Sequence, residues 1–125
     1  MLEIGTIVMG VDDFGRAVEF WTAALDYVPK RPITEEDDFM VLEPRAGHGT
    51  HLALDTSQSP VQEHPRVHLD LYATDARDQQ AQVQRLISLG GSRADWDLYP
   101  EDPDFVVMED TEGNRFCIID TSHGG

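Results

Sequence analysis

One order of patterns occurs twice in this chain, and this repetition constrains its fold more than any other feature. Residues 4–11 form a short, β-branched apolar run, which is typical of a strand. Asp13 then marks a helix start, and apolar residues follow at helical spacing over residues 14–25. Apolar pieces broken by Pro and Gly predict three antiparallel strands, at residues 27–28, 39–42 and 50–54. The first half therefore predicts a βαβββ module.

The second half follows the same order. Residues 67–73 alternate as a half-buried strand, Asp75 starts a helix, and the apolar face of this helix ends before Gly90 and Gly91. Further strands are predicted around Trp96 and Leu98, at residues 105–108 and at residues 116–119. Together the halves predict one α+β domain, with module 1 at about residues 1–57, a linker at about residues 58–65 and module 2 at about residues 66–125.

Superposing the two halves pairs residues that carry side-chain chemistry. Alignment on the two helix starts lays Thr6 on His68. Alignment on the glycine turns of the two halves lays His51 on Cys117, or Ala53 on Cys117 if the register slips by two residues. The pattern is therefore that of a duplicated module whose loops differ in length.

The charge balance excludes two classes of partner. Nine Lys and Arg against 24 Asp and Glu give a net charge of −15, and the basic residues form no cluster. Such a chain repels both a phosphate backbone and an anionic membrane surface. The N-terminus lacks a basic region and its uncharged run is too short to span a bilayer. We expect a cytoplasmic protein that binds neither nucleic acid nor membrane, with Cys117 outside any disulfide framework.

Several stretches carry a resemblance to a known family: Asp13 with residues 17–21 and 24–25, residues 66–71 with Asp75, residues 86–91 and residues 109–117. Taken together, they are similar to the vicinal oxygen chelate superfamily, which includes glyoxalase, bleomycin-resistance and extradiol-dioxygenase proteins, and within it to small glyoxalase-like domain proteins. The resemblance implies two βαβββ modules that form an open curled barrel around a pocket. It also implies a homodimer.

The resemblance places metal ligands on the first and last strand of each module. The matching positions are Thr6, His51 or Ala53, His68 and Cys117, and only His68 matches the usual ligand outright. Imidazole and thiolate suit zinc or iron, so His51, His68 and Cys117 are the candidate metal ligands, with a fourth position open. The competing interpretation is that no metal binds and that Cys117 is a buried small apolar residue.

The strand at residues 67–73 is the candidate wall of a pocket. Its two-residue period places His68, Asp70 and Tyr72 on one face and apolar side chains on the other. Polar groups of these kinds fix the orientation of ligands in cavities. The predicted ligand-binding residues are Thr6, Phe39, His68, Tyr72, Trp96 and Phe105.

Two functions remain open from the sequence. In the first, the chain is a glyoxalase-like protein that binds a small molecule and acts on it by metal-assisted lyase, isomerase or dioxygenase chemistry on a vicinal-oxygen substrate. Asp70 is then the candidate catalytic base, because it lies two residues beyond His68. In the second, the chain is a non-catalytic protein that sequesters a ligand, as bleomycin-resistance proteins do.

Overall fold

The computed structural model describes residues 1–124, which form two compact units, Met1–Pro60 and a second unit that begins at Val61. Each unit contains one helix and one four-stranded sheet in the order βαβββ. The predicted α+β class and its two βαβββ modules are therefore confirmed. Within residues 1–124, neither helix is both long enough and apolar enough to cross a membrane.

The first unit has a mixed sheet with the strand order β1-β4-β3-β2. Strands β1 and β4 are parallel, and the other two pairs are antiparallel. The parallel pair is possible because the helix and two further strands lie between β1 and β4 in the chain. The bounds are β1 Thr6–Val11, α1 Phe14–Leu25, β2 Tyr27–Pro29, β3 Phe39–Pro44 and β4 His51–Thr56.

The second unit has the same topology, with the strand order β5-β8-β7-β6 and β5 parallel to β8. Helix α2 packs against β8 and β5 through an apolar face that includes the buried side chains of Val83 and Leu86. The bounds are β5 Asp70–Ala73, α2 Ala76–Ser88, β6 Ser92–Arg93, β7 Phe105–Glu109 and β8 Arg115–Asp120.

Both helices begin at the aspartates that the sequence singled out. The Asp13 carboxylate accepts a hydrogen bond from the Arg16 backbone N–H at 3.1 Å, and Asp75 accepts one from the Asp78 backbone N–H at 2.8 Å. Each carboxylate thus satisfies a backbone donor that has no partner inside the helix. The two predicted helix caps are confirmed.

The turn between β7 and β8 sets where the last strand begins. Gly113 has a φ of 87°, in the left-handed region that glycine tolerates. The Asp110 Oδ1 atom accepts hydrogen bonds from the backbone N–H groups of Glu112 and Asn114, at 2.8 and 2.9 Å. These contacts fix the turn, and β8 starts directly after it at Arg115.

Two predicted strands of the second unit need correction. The strand expected at residues 67–73 begins only at Asp70, because the backbone bends before it, and Val67 is 79% exposed where a core position was expected. The strand expected around Trp96 and Leu98 is wrong, since the strand of this region is Ser92–Arg93. The alternating apolar residues there line a cavity instead of joining the sheet.

Candidate functional site

One face of the second sheet forms the wall of a cavity. Side chains alternate along a strand, so α2 packs against one face of the sheet, at β8, β5 and β6, and residues of the opposite face line the cavity. In the ladder, Cys117 lies opposite Asp70 on one side and opposite Val107 on the other. Ile119 lies in the same way between Tyr72 and Phe105. The cavity wall therefore contains two rows of neighbouring side chains across the three strands, and the rows lie two residues apart along each strand.

The cavity measures about 620 Å³, a size suited to a small organic ligand. Four of the predicted ligand-binding residues line it: His68, Tyr72, Trp96 and Phe105. Thr6 and Phe39 lie in the first unit, on β1 and β3, and their ligand-binding role stays a prediction. The other lining residues are His64, Pro65, Asp70, Leu98, Asp104, Val107, Arg115, Phe116, Cys117 and Ile119.

Three side chains that can ligate a metal meet at one end of this cavity. One donor atom each from His68, Asp70 and Cys117 lie within 4.8 Å of one another. His68 Nε2 lies 3.0 Å from Asp70 Oδ1, and both side chains are partly exposed. Cys117 approaches from the neighbouring strand and is 8% exposed. His68 and Cys117 belong to the predicted metal ligands, and Asp70, which the sequence predicted as a catalytic base, lies with them in place of His51.

The Cys117 thiol is neutral in these surroundings. Burial raises its pKa to about 11, and the nearby carboxylates of Asp70 and Asp104 add to this effect. Both causes act against the thiolate, the first by removing water and the second by like-charge repulsion. Without a cation at this point, the thiol is therefore not a reactive nucleophile at neutral pH.

The donor set fits a borderline-soft divalent ion. Imidazole nitrogen, carboxylate oxygen and thiolate sulfur are the ligands that zinc uses, and a hard ion such as Mg²⁺ or Ca²⁺ favours oxygen alone. Since His68 and Asp70 are partly exposed, an ion held here keeps a side open to the cavity. The residues present therefore fit zinc or iron better than a hard cation.

The register within each unit decides how the two modules correspond. Val8 and Asp70 stand at the same distance along the chain before the helix caps of their units. Val8 pairs with Ala53, and Asp70 pairs with Cys117. Ala53 is therefore the first-unit equivalent of Cys117. Of the two alignments that the sequence left open, the structure has the one that lays Ala53, and not His51, on Cys117. His51 pairs with Thr6 on β4, and its role as a metal ligand stays a prediction.

Arg115 is the main residue of the cavity that the sequence analysis missed. Its side chain is 11% exposed, and its Nη2 lies 3.2 Å from Glu109 Oε1. Its Nη1 donates to the Glu63 carbonyl oxygen at 2.7 Å, and its guanidinium carbon lies 5.8 Å from the centre of the Trp96 ring. The predicted last strand began one residue too late. Extending it to Arg115 would have placed this side chain on the face of Cys117.

Aromatic contacts shape the remaining wall. The His64 ring lies 4.9 Å from the Trp96 ring, and Tyr99 lies 5.2 Å from Phe105. The Tyr99 hydroxyl accepts a hydrogen bond from the Val107 backbone N–H at 2.7 Å, which holds this pair against β7. The indole N–H of Trp96 is buried and has no hydrogen-bond partner within residues 1–124.

Comparison with known proteins gives a family and a fold. The family model described as a glyoxalase-like domain matches residues 6–119. A glyoxalase-related enzyme from Fulvimarina pelagi is 16% identical, with a TM-score of 0.68 over 95% of this chain and 88% of that one. A fosfomycin resistance protein, FosX, from Listeria monocytogenes is 12% identical, with a TM-score of 0.70 over 95% and 91%.

A glyoxalase/bleomycin resistance protein/dioxygenase family enzyme from Burkholderia phytofirmans is 13% identical, with a TM-score of 0.69 over 94% of this chain and 97% of that one. At such identities the likeness concerns the fold alone. No curated protein matches the chain.

Proposed function

Because the chain belongs to the glyoxalase-like domain family, within the vicinal oxygen chelate superfamily, we propose that it binds a small organic molecule in the cavity of its second unit. We further propose that a divalent metal ion, zinc or iron, is held beside this molecule by His68, Asp70 and Cys117. One observation carries the proposal: three donor atoms of different chemistry, from β5, β8 and the segment just before β5, meet at the wall of a cavity of ligand size.

The proposed ligand set differs from the one that the sequence predicted. Asp70 replaces His51, because its carboxylate lies 3.0 Å from His68 Nε2 and opposite Cys117 in the ladder. An ion shared by the two residues would replace the proton that lies between these two atoms in the metal-free protein. The short distance between them favours metal ligation over the catalytic-base role predicted for Asp70.

The proposed reaction is metal-assisted lyase, isomerase or dioxygenase chemistry on a substrate with adjacent oxygen atoms. When bound, a divalent ion supplies Lewis-acid polarisation of such oxygens. The chain contributes the donors that hold the ion and the apolar wall of Phe105, Val107 and Ile119 that excludes water from the substrate.

A second candidate function is supported by a separate observation. The Cys117 thiol is neutral and buried in the metal-free protein, and much of the cavity wall is apolar or aromatic. A cavity of this kind binds a ligand without any reacting group. The second candidate is therefore a non-catalytic protein that sequesters its ligand.

The proposal takes the protein to act in the cytoplasm as a homodimer. Its single cysteine, Cys117, is free and buried, and a fold that does not depend on a disulfide suits a reducing compartment. The homodimer is what the family resemblance implies.

The deciding experiment is the metal content of untagged protein purified without chelator, measured by elemental mass spectrometry. We expect stoichiometric zinc or iron in the wild type, and loss of the metal in His68→Ala and Cys117→Ser. His51→Ala is the matched control, because the proposed site retains its metal in this variant and the ligand set predicted from the sequence does not. A wild type without metal would contradict the metal site and favour the sequestering function.

A further inference from the structure

The cavity has a second polar end, at Arg115 and Trp96, apart from the cluster around Cys117. We propose that these two residues form a subsite for a carboxylate group of the ligand. The inference rests on the proposed function, since it concerns a molecule bound in the same cavity. It adds the chemical class of that molecule, a carboxylic acid with an apolar body.

The Arg115 guanidinium has more N–H donors than acceptors around it, which supports an acceptor supplied by a ligand. A guanidinium has five N–H donors and no acceptor. Glu109 Oε1 is contacted by Nε and by Nη2, both at 3.2 Å, and the Glu63 carbonyl accepts from Nη1 at 2.7 Å. No other hydrogen bond or ion pair of this guanidinium is present within residues 1–124. Two of the five N–H groups therefore have no partner among the described residues. Arg115 itself lines the cavity.

Trp96 adds a third donor of the same kind. Its indole N–H is buried without a hydrogen-bond partner among the described residues, and its ring lies beside the Arg115 guanidinium. An indole N–H can only donate, and leaving it unpaired when buried is unfavourable. A ligand that occupies this end of the cavity satisfies these donors only if it brings hydrogen-bond acceptors.

The distribution of charge points to an anionic acceptor. Arg115 is the one Lys or Arg among the residues that line the cavity, and its side chain is 11% exposed. The carboxylates of Asp70 and Asp104 act on Cys117, whereas Arg115 contacts Glu109 and acts more weakly on Asp97. Arginine binds carboxylates through parallel N–H donors, which makes a carboxylate the best match for the unpaired groups.

The spacing separates this subsite from the metal cluster. Arg115 and Cys117 lie two residues apart on one face of β8, which places their backbone positions roughly 7 Å apart. A carboxylate at Arg115 therefore leaves the cluster free for another part of the ligand. The ligand body lies along the apolar residues Phe105, Val107 and Ile119.

The test uses ¹⁵N-resolved NMR spectra of the full chain with two matched probes, 3-phenylpropanoate and the neutral 3-phenylpropan-1-ol. The indole N–H of Trp96 is the reporter, assigned by Trp96→Phe. Trp21, in the core of the first unit, is the internal control. We expect phenylpropanoate to shift the Trp96 resonance and to bind severalfold more tightly than the alcohol, while Trp21 stays unchanged.

Glu109→Gln supplies a second, opposite readout. Because Glu109 competes for the Arg115 donors, its neutralisation should strengthen the binding of phenylpropanoate severalfold and leave the alcohol unchanged. If this variant does not fold, Trp96→Phe should weaken phenylpropanoate more than the alcohol.

Equal affinities for the two probes, with shifted backbone amides of Val107 and Ile119, would overturn the carboxylate subsite and leave the binding cavity standing. If no amide of the cavity shifts with either probe, the carboxylate subsite is overturned, and the metal content of the wild type decides the proposed function separately.

Discussion

Cys117 lies directly opposite Asp70 on the parallel strands β5 and β8, and the equivalent pair of the first unit is Val8 and Ala53. The same backbone position therefore carries a thiol and a carboxylate in one module and two apolar side chains in the other. Both modules share one backbone scaffold, so the side chains at this pair of positions determine which module can bind a metal. Among the described residues, the pair with such side chains is Asp70 and Cys117 of the second unit.

The first prediction concerns Co²⁺ bound in place of zinc. A thiolate ligand gives Co²⁺ an intense sulfur-to-metal charge-transfer band in the near ultraviolet, so the metal-loaded wild type should show one. Cys117→Ser should abolish the band, because its oxygen cannot give this transition, and His51→Ala should retain it. The absorption spectrum during a Co²⁺ titration checks this. A band that survives in Cys117→Ser would remove Cys117 from the ligand set.

The fold could be predicted from the sequence where local signals decide it. The caps Asp13 and Asp75 act on backbone groups three residues away, and Gly113 meets a local need for positive φ. Helical spacing likewise needs only the residues of one segment. These signals were sufficient for two βαβββ modules.

The site could be predicted only in part, because its contacts join residues far apart in sequence. His68 and Cys117 were found through the strand pattern and the family resemblance. The pairing of Cys117 with Asp70 depends on a ladder register that two alternative superpositions left open. Arg115 was missed because its prediction needs the exact start of the last strand. Trp96 was wrongly placed in a strand, because residues that line a cavity can alternate as strand residues do.

The second prediction tests the apolar face of α2. Leu86 is 2% exposed, whereas its neighbour Ile87 is 39% exposed. Leu86→Ala should lower the free energy of unfolding by about 2–5 kcal/mol, because it removes buried methyl groups and leaves a cavity. Ile87→Ala is the matched control and should cost below about 1 kcal/mol. Urea denaturation of both variants measures the difference, and equal losses would contradict the assigned face.

The third prediction concerns the cap of the same helix. Asp75→Ala should lower the free energy of unfolding by about 0.5–2 kcal/mol, because the backbone N–H of Asp78 loses its acceptor. Asp75→Asn keeps an acceptor oxygen and should retain most of the stability. Thermal denaturation of the two variants checks the order, and an alanine variant as stable as the asparagine variant would argue against the cap.

The last prediction is a pH dependence set by the Arg31–Asp37 pair of the first unit. The pKa of Asp37 is lowered to about 2, first by its hydrogen bonds from Arg31 and then by the Thr34 backbone N–H. An unfolded chain restores the ordinary carboxyl pKa of about 3.9. Between these two values the unfolded state binds more protons, so the stabilisation is complete above about pH 4 and is lost as the pH falls towards 2.

Asp37→Asn should therefore be less stable than the wild type at pH 7, and the two should converge near pH 2. The neighbouring exposed Asp38 has no side-chain hydrogen bond or ion pair within residues 1–124, so Asp38→Asn is the matched control and should cost little stability at pH 7. Urea denaturation of the three proteins between pH 2 and pH 7 provides the comparison. A constant gap between Asp37→Asn and the wild type would show that Arg31 does not favour the ionised form of Asp37.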